Sequence, residues 1–283
     1  MNSDKIAIIL SAGKQSRFKN SLPKCLQIID NSNTSVLDLN ISMINAYTNI
    51  NKIFIAYHDS MYNEFKKYEE LSNVVLIPIH SQLGCGDATY HTIKKINSIY
   101  NVTPKTSAIL MWGDSIQSES CIFKHLNNIQ TSFTIPLYVP VVYETQPYVI
   151  IEVESGSNKI SGCKFSKFNE QISSGFHDLS IFLLNLKYIF RVLTFMKIIS
   201  FDSKTEKYDK INSIFPYRNG ELLFLDILNA INIAPEKSYN LNEDILECLN
   251  RKAYILDYSS YNVKSRSFNT IEELEEIRKE ING

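Results

Sequence analysis

The first half of this chain is most restricted by a series of short apolar segments that alternate with helix-like ones. Ile6-Ala7-Ile8-Ile9-Leu10 has no polar position, so as a strand it must be covered on both faces. Residues 35–47 have helical spacing, with Val36, Leu39, Met43, Ile44 and Tyr47 on one side. Residues 52–57 read as a strand, 60–71 as an amphipathic helix, 74–79 as a strand and 87–99 as a helix. Residues 107–112 form a further strand that ends at Gly113-Asp114. A βαβαβ rhythm predicts a parallel sheet with right-handed crossovers, flanked by helices. Ligands of such sheets bind at the carboxyl ends of strands. The loop after the first strand and Gly113-Asp114 both fall there.

The second half is richer in β patterns. Residues 133–143 and 148–154 read as strands, and the turn Ser155-Gly156-Ser157-Asn158 leads to a third at 159–165. This hairpin is expected to form an inserted small sheet over a substrate. Helical patterns follow at 184–196 and 221–233, and residues 201–212 form a polar insertion, a candidate lid. A strand is expected at 253–258. The last helix, 270–281, opens with Thr270 and Glu273 in a capping-box pattern. No internal repeat, and in particular no hexapeptide repeat, follows.

Composition narrows the function classes. An apolar fraction of 44% supports a sizeable core. A formal net charge of −1 gives no broad field for nucleic acid or anionic lipid, so any phosphate binding must be local. No run approaches the ~18 apolar residues of a membrane span, and the apolar run after Lys5 is too short for a secretory signal. The five cysteines (Cys25, Cys85, Cys121, Cys163, Cys248) are scattered without a CxxC pair, which points to a reducing cytoplasm. The five histidines lack metal spacing.

The chemistry concentrates in two places. After the first strand comes Ser11-Ala12-Gly13-Lys14-Gln15-Ser16-Arg17-Phe18, and then Pro23-Lys24. Small residues let backbone N–H groups approach a polyphosphate, and Arg17 and Lys24 supply the charge to neutralise it. Asp114 places a carboxylate at a strand end beside that loop, where a hard Mg²⁺ ion with phosphate ligands would fit. No GxGxxG follows the first strand, which argues against a dinucleotide-dependent dehydrogenase.

The loop resembles the signature L-(A/S)-A-G-x-G-(S/T)-R-M…P-K of the nucleotidyltransferases that join a nucleoside triphosphate to a phosphorylated sugar or alcohol. Gln15 stands at the second glycine and Phe18 at the methionine. Ser81-Gln82-Leu83-Gly84-Cys85-Gly86-Asp87-Ala88 is similar to that family's Q-L-G-T-x-x-A segment, which lines the base and ribose. Phe268-Asn269-Thr270 resembles its late V-(N/D)-T segment, which completes the metal site, and Glu221-Leu222-Leu223-Phe224-Leu225-Asp226-Ile227 its E-x-Y-L-T-D-I helix. In family order these span residues 6 to 275, and their spacing most resembles the uridyltransferase domain of N-acetylglucosamine-1-phosphate uridyltransferases. Departures fall on the base- and acceptor-reading positions: Ile79 replaces the uracil-reading glutamine and Phe165 an acidic sugar contact. Asp178-Leu179-Ser180 replaces an N-T-G triplet, and Trp112 a tyrosine.

The resemblance implies one α/β domain over residues 1–283, a Rossmann-like, mostly parallel mixed sheet of the nucleotide-diphospho-sugar transferase type. Residues 1–130 would be its nucleotide-binding half and 131–283 its acceptor-binding half. It implies Arg17 and Lys24 as catalytic residues and Leu10, Ser11, Ala12, Gly13, Lys14, Gln82, Gly84 and Gly113 around the nucleotide. Trp112, Tyr148, Phe165, Lys167, Asp178 and Glu221 would meet the acceptor, and Asp114 and Asn269 would hold Mg²⁺. The expected substrates are a nucleoside triphosphate (UTP or CTP) and a sugar-1-phosphate, in cytoplasmic supply of nucleotide sugars for surface polysaccharide. Neither nucleic acid nor membrane is an expected partner; a homo-oligomer is compatible with the chain. Two other readings stand beside this one: a cytidylyltransferase of a polyol or amino-alcohol phosphate, and an inactive nucleotide-binding relative.

Overall fold

The structure is a computed structural model that describes residues 4–13, 18, 22–117, 119–132, 134–166, 174–210, 215, 219–231, 249 and 251–283. At its centre lies β1 (Lys5–Ser11), parallel to β2 (Ile53–His58) on one side and to β4 (Ser107–Trp112) on the other. β3 (Val74–Ile79) continues the parallel half beyond β2. Past β4 the sheet turns antiparallel. β10 (Ile181–Asn185) pairs with β4 and with β6 (Leu137–Thr145), then β9 (Ser174–Asp178), β7 (Val149–Val153) and β8 (Ile160–Phe165) follow. β11 (Tyr254–Asp257) lies parallel on β6 and completes a ten-stranded sheet. The hairpin expected as an inserted small sheet is thus continuous with the main sheet through β9.

The all-apolar strands are explained by two covered faces. On β1, Ile6, Ile8 and Leu10 enter one core while Ala7 and Ile9 enter the other, the period of two that a strand imposes. Helices α3 (Cys85–Ile99) and α5 (Leu186–Ser200) supply Ile93, Ile96, Leu186, Ile189, Val192, Leu193 and Met196 to the first core. Helices α1 (Val36–Tyr47) and α4 (Cys121–Asn128) supply Leu37, Ile41, Ile44, Ile122, Phe123 and Leu126 to the second. A third, smaller core holds Phe18, Ile29, Val36, Ile116, Phe268, Leu274 and Ile277, and so fastens the last helix to the start of the chain. Among the described residues no helix is long and apolar enough to cross a membrane.

Three expected helices are altered, each for a physical reason. The segment 60–71 divides into 3₁₀ turns at Asp59–Met61 and Lys66–Glu70 around the short α2 (Tyr62–Phe65). Only Phe65 and Tyr68 of these elements are buried, so packing pins two rings rather than a continuous stripe. The run before α5 is strand β10, ended by Asn185, whose side chain accepts from the Tyr188 N–H to cap the helix. Of residues 221–233, only α6 (Asp226–Ala230) is an α-helix among the described residues. Leu222 instead spends its backbone groups on the α3 loop, and residues 232 and 233 lie outside the described residues.

α1 begins with a full capping box: Ser35 Oγ accepts from the Asp38 N–H, and the Asp38 carboxylate accepts from the Ser35 N–H. Ser35→Ala should therefore lower unfolding free energy by about 1 kcal/mol in urea titration, with the slope of the transition unchanged.

Candidate active site

The parallel register puts Leu10 opposite Trp112, so the ends of β1 and β4 arrive together. Leu10, Ser11, Ala12, Gly13, Trp112 and Asp114 line one side of a cleft of about 370 Å³. Lys24 and Cys25 add to this side from the 3₁₀ turn Lys24–Leu26. Ser81, Gln82, Gly84, Cys85 and Ala88, at the start of α3, form the other side with Glu221 and Leu223.

Gly113 makes the junction possible. Its N–H donates to the Leu10 carbonyl at 2.8 Å. A Cβ there would collide with Ser11 Oγ and press on the Leu10 carbonyl at 3.0 Å. The turn that carries Asp114 is held from behind by Asn40 of α1, a buried residue whose amide donates to the carbonyls of Gly113 (3.4 Å) and Ser115 (3.1 Å).

Lys24 gathers the charged centre. Its ammonium lies 3.4 Å from Asp114 Oδ2 and donates at 3.1 Å to Asn269 Oδ1, a residue 245 positions away. Asn269 is delivered by α7 (Ile271–Asn282), whose Thr270/Glu273 capping box forms as the sequence predicts. Phe268, beside Asn269, packs edge-on against Phe18 with ring centroids 5.5 Å apart. The far end of α7 is tied down by Arg278 Nε, which donates to the Ile28 carbonyl at 2.8 Å. One carboxylate and one amide oxygen are the hard donors that Mg²⁺ accepts when water and phosphates complete its shell, so this pair fits that ion. Among the described residues there is no group of three or more His, Cys, Asp or Glu that could hold a metal by itself.

The α3 loop is built around Leu222. The Leu222 N–H donates to the Leu83 carbonyl and its carbonyl accepts from the Gly86 N–H, both at 2.8 Å. Gly84 (φ +103°) and Gly86 have no room for a Cβ against that backbone, which explains two glycines in three residues. The same contact brings Glu221 and Leu223 to the cleft. Cys25 is neutral at its edge, since burial pushes the thiol up to about 12.

Of the sequence-predicted positions, Leu10, Ser11, Ala12, Gly13, Lys24, Gln82, Gly84, Trp112, Asp114 and Glu221 line this cleft, Gly113 supports it, and Asn269 meets it through Lys24. Lys14, Arg17 and Lys167 lie outside the described residues. Three acceptor positions are set apart from the cleft. Phe165 is a core residue of β8, 4% exposed, its ring packed with the first core. Asp178 is buried with its carboxyl pushed up by burial, and it accepts from the Ser180 N–H at 2.9 Å. It thereby holds Ser180 at positive φ, where the Ser180 carbonyl accepts from the Trp112 N–H. Tyr148, 44% exposed, is absent from the lining; its carbonyl accepts from Ser166. No motif signalled Cys25, Asn40 or the role of Leu222; a buried asparagine inside an apolar helix face was the available hint for Asn40.

No protein-family model matches the chain, and no curated protein matches it significantly. Solved structures do. CTP:phosphocholine cytidylyltransferase from Streptococcus pneumoniae matches with a TM-score of 0.63 at 13% identity, over 99% of this chain and 100% of its own. A Bacillus anthracis structure described as a glucose-1-phosphate thymidylyltransferase, in complex with sucrose, matches with a TM-score of 0.64 at 14% identity, over 97% and 94%. The chain therefore shares its mixed-sheet fold with these two structures.

Gly113→Ala should destabilise the protein by about 1–3 kcal/mol, because the new methyl group forces β1 and β4 apart. Chemical denaturation reads this directly, and an unchanged midpoint would show that the strand ends have slack.

Proposed function

We propose that the chain is a Mg²⁺-dependent nucleotidyltransferase. It transfers the nucleotidyl group of a nucleoside triphosphate, UTP or CTP, to the phosphate of a small phosphorylated sugar or alcohol. The observation that carries this reading is the convergence of Lys24, Asp114 and Asn269 at the ends of β1 and β4, in this fold. Fold alone would not do so. In the reaction an oxygen of the acceptor phosphate attacks the α-phosphorus, the α–β bridging bond breaks, and pyrophosphate leaves. Such chemistry needs positioning and charge neutralisation more than covalent participation.

Lys24 is the group to balance charge on the α-phosphate and the incoming phosphate. Its side chain is only 12% exposed, so the ammonium works where water screens it weakly. Asp114 and Asn269 would hold the ion, which when bound supplies neutralising charge to the phosphates. The N–H groups at the end of β1 can approach the triphosphate closely because Ala12 and Gly13 are small. The cytoplasm, and supply of nucleotide sugars to surface polysaccharide, complete this reading.

One observation favours the amino-alcohol variant of the acceptor. Trp112, whose ring packs on Phe182 (5.2 Å) and Phe224 (5.6 Å), lines the cleft together with Glu221. An indole and a carboxylate are the pair that holds an ammonium group.

The test is pyrophosphate release with Mg²⁺, crossing the four common triphosphates with sugar-1-phosphates, polyol phosphates and amino-alcohol phosphates. Release with one combination establishes the reaction; silence across the panel, with calorimetry still showing triphosphate binding, would favour the inactive relative. Lys24→Ala should cut turnover by about 10²–10³-fold while the fold, read by circular dichroism, stays intact. Asp114→Ala should abolish turnover or raise the Mg²⁺ requirement, and normal Mg²⁺ dependence in that variant would remove Asp114 from the metal site.

A further inference from the structure

The start of α3 carries a buried polar cluster that the proposed chemistry does not use. Asp87, in the first turn, is 0% exposed. One of its carboxylate oxygens accepts from the Ser81 hydroxyl, and the other from the Tyr208 hydroxyl at 2.5 Å. His91, one turn on, and Lys197 of α5 lie 3.5 and 3.8 Å from that second oxygen. Burial by itself would raise the Asp87 pKa, yet hydrogen bonds from His91, Ser81 and Tyr208 outweigh it and hold the carboxyl below its usual range.

Tyr208 reaches this cluster from the polar insertion at 201–212, of which residues 211 and 212 lie outside the described residues. Between residues 203 and 210 it is the one buried side chain, and its ring packs edge-on against Phe201 at 5.2 Å. Ser81, at the other end of the relay, lines the cleft. The turn 81–86 is therefore gripped twice: by the Leu222 backbone on one side, and through Ser81, Asp87 and Tyr208 on the other. A fully buried carboxylate is an expensive means of adding stability, because an apolar residue would do as well; what it adds is a fixed orientation.

The two sides of the cleft differ in charge. Lys24 and Asp114 stand on the side of β1 and β4, which suits phosphates and metal. The residues of the α3 start on the opposite side, Ser81, Gln82, Gly84, Cys85 and Ala88, are uncharged, and the charge on that side, Glu221, comes from the Leu222 segment. The buried Asp87 also offsets the positive end of the α3 dipole, so that helix end loses its pull on phosphate. We infer that Asp87 and Tyr208 are positioning residues for the nucleoside half of the substrate: through the Ser81 hydroxyl they fix the turn against which base and ribose lie. This rests on the nucleotidyltransferase reading above.

The experiment is calorimetry of the full chain with CTP, with UTP and with inorganic pyrophosphate, each with Mg²⁺. Tyr208→Phe removes one hydroxyl and keeps the ring. It should weaken binding of the preferred triphosphate about tenfold, because the Asp87 oxygen loses a donor and the turn loosens. Pyrophosphate affinity, which reports only the phosphate side, should stay within twofold. Ser81→Ala should reproduce the effect, and the double variant should add little to either, as expected of groups acting through one carboxylate. Additive losses would overturn the relay. So would equal weakening of triphosphate and pyrophosphate with a lowered melting temperature, the signature of a merely structural cluster. Unchanged triphosphate affinity in both single variants would overturn it as well. If the unaltered chain binds neither triphosphate, the nucleotidyltransferase reading itself falls and takes this inference with it.

Discussion

The site depends on one close approach, that of the end of β4 to the end of β1. Parallel pairing sets Leu10 against Trp112, and the ladder runs one step further, from the Gly113 N–H to the Leu10 carbonyl. Because Gly113 has no side chain, Ser11 and the Asp114 turn can occupy neighbouring space. Lys24 then finds Asp114, and through it the whole charged centre is assembled. A wider gap between these strands would leave the same residues on the surface of an α/β protein with no cleft to share.

Around that junction the remaining parts are held by contacts distant in sequence. Asn40 fixes the Asp114 turn from α1, and α7 brings Asn269 across 245 residues to Lys24. Leu222 threads its backbone against the glycines that open α3. The Asn40 and Leu222 contacts are hydrogen bonds of buried groups, so each is costly to lose. The effect is a rigid cleft whose two sides come from different parts of the chain: a charged one from the β1–β4 junction, and one from the α3 loop and the Leu222 segment that bears uncharged groups and Glu221.

Two of the positions expected to meet an acceptor are buried. Phe165 and Asp178 occupy positions at which related motifs suggest ligand contacts, yet both point into protein. Phe165 alternates into the core because β8 is a strand with one covered face, and Asp178 braces the left-handed Ser180. Trp112 and Glu221 do reach the cleft, since both sit beside backbone that builds it, at the Gly113 junction and the Leu222 contact.

The sequence by itself determined the parallel half of the fold. An alternation of short apolar segments with helix-like ones fits strands covered on both faces, and the 74–79 and 107–112 boundaries match β3 and β4 to the residue. It also marked Lys24, Asp114 and Asn269, through motifs that resemble those of nucleotidyltransferases and follow their order, since a turn aspartate or a helix-entry asparagine alone has an ordinary structural reason to be there; the structure brings the three side chains together. Only the tertiary structure decided that residues 181–185 are a strand, since an apolar run of that length has no period to distinguish it from a buried helix. Likewise, only packing could show that Leu222 leaves its helix to hold the α3 loop, that Phe165 is core, and that Tyr208 is drawn out of a polar segment onto Asp87. Local pattern records which face of an element is apolar; the partner that a backbone amide or buried hydroxyl finds depends on chain that arrives from far away.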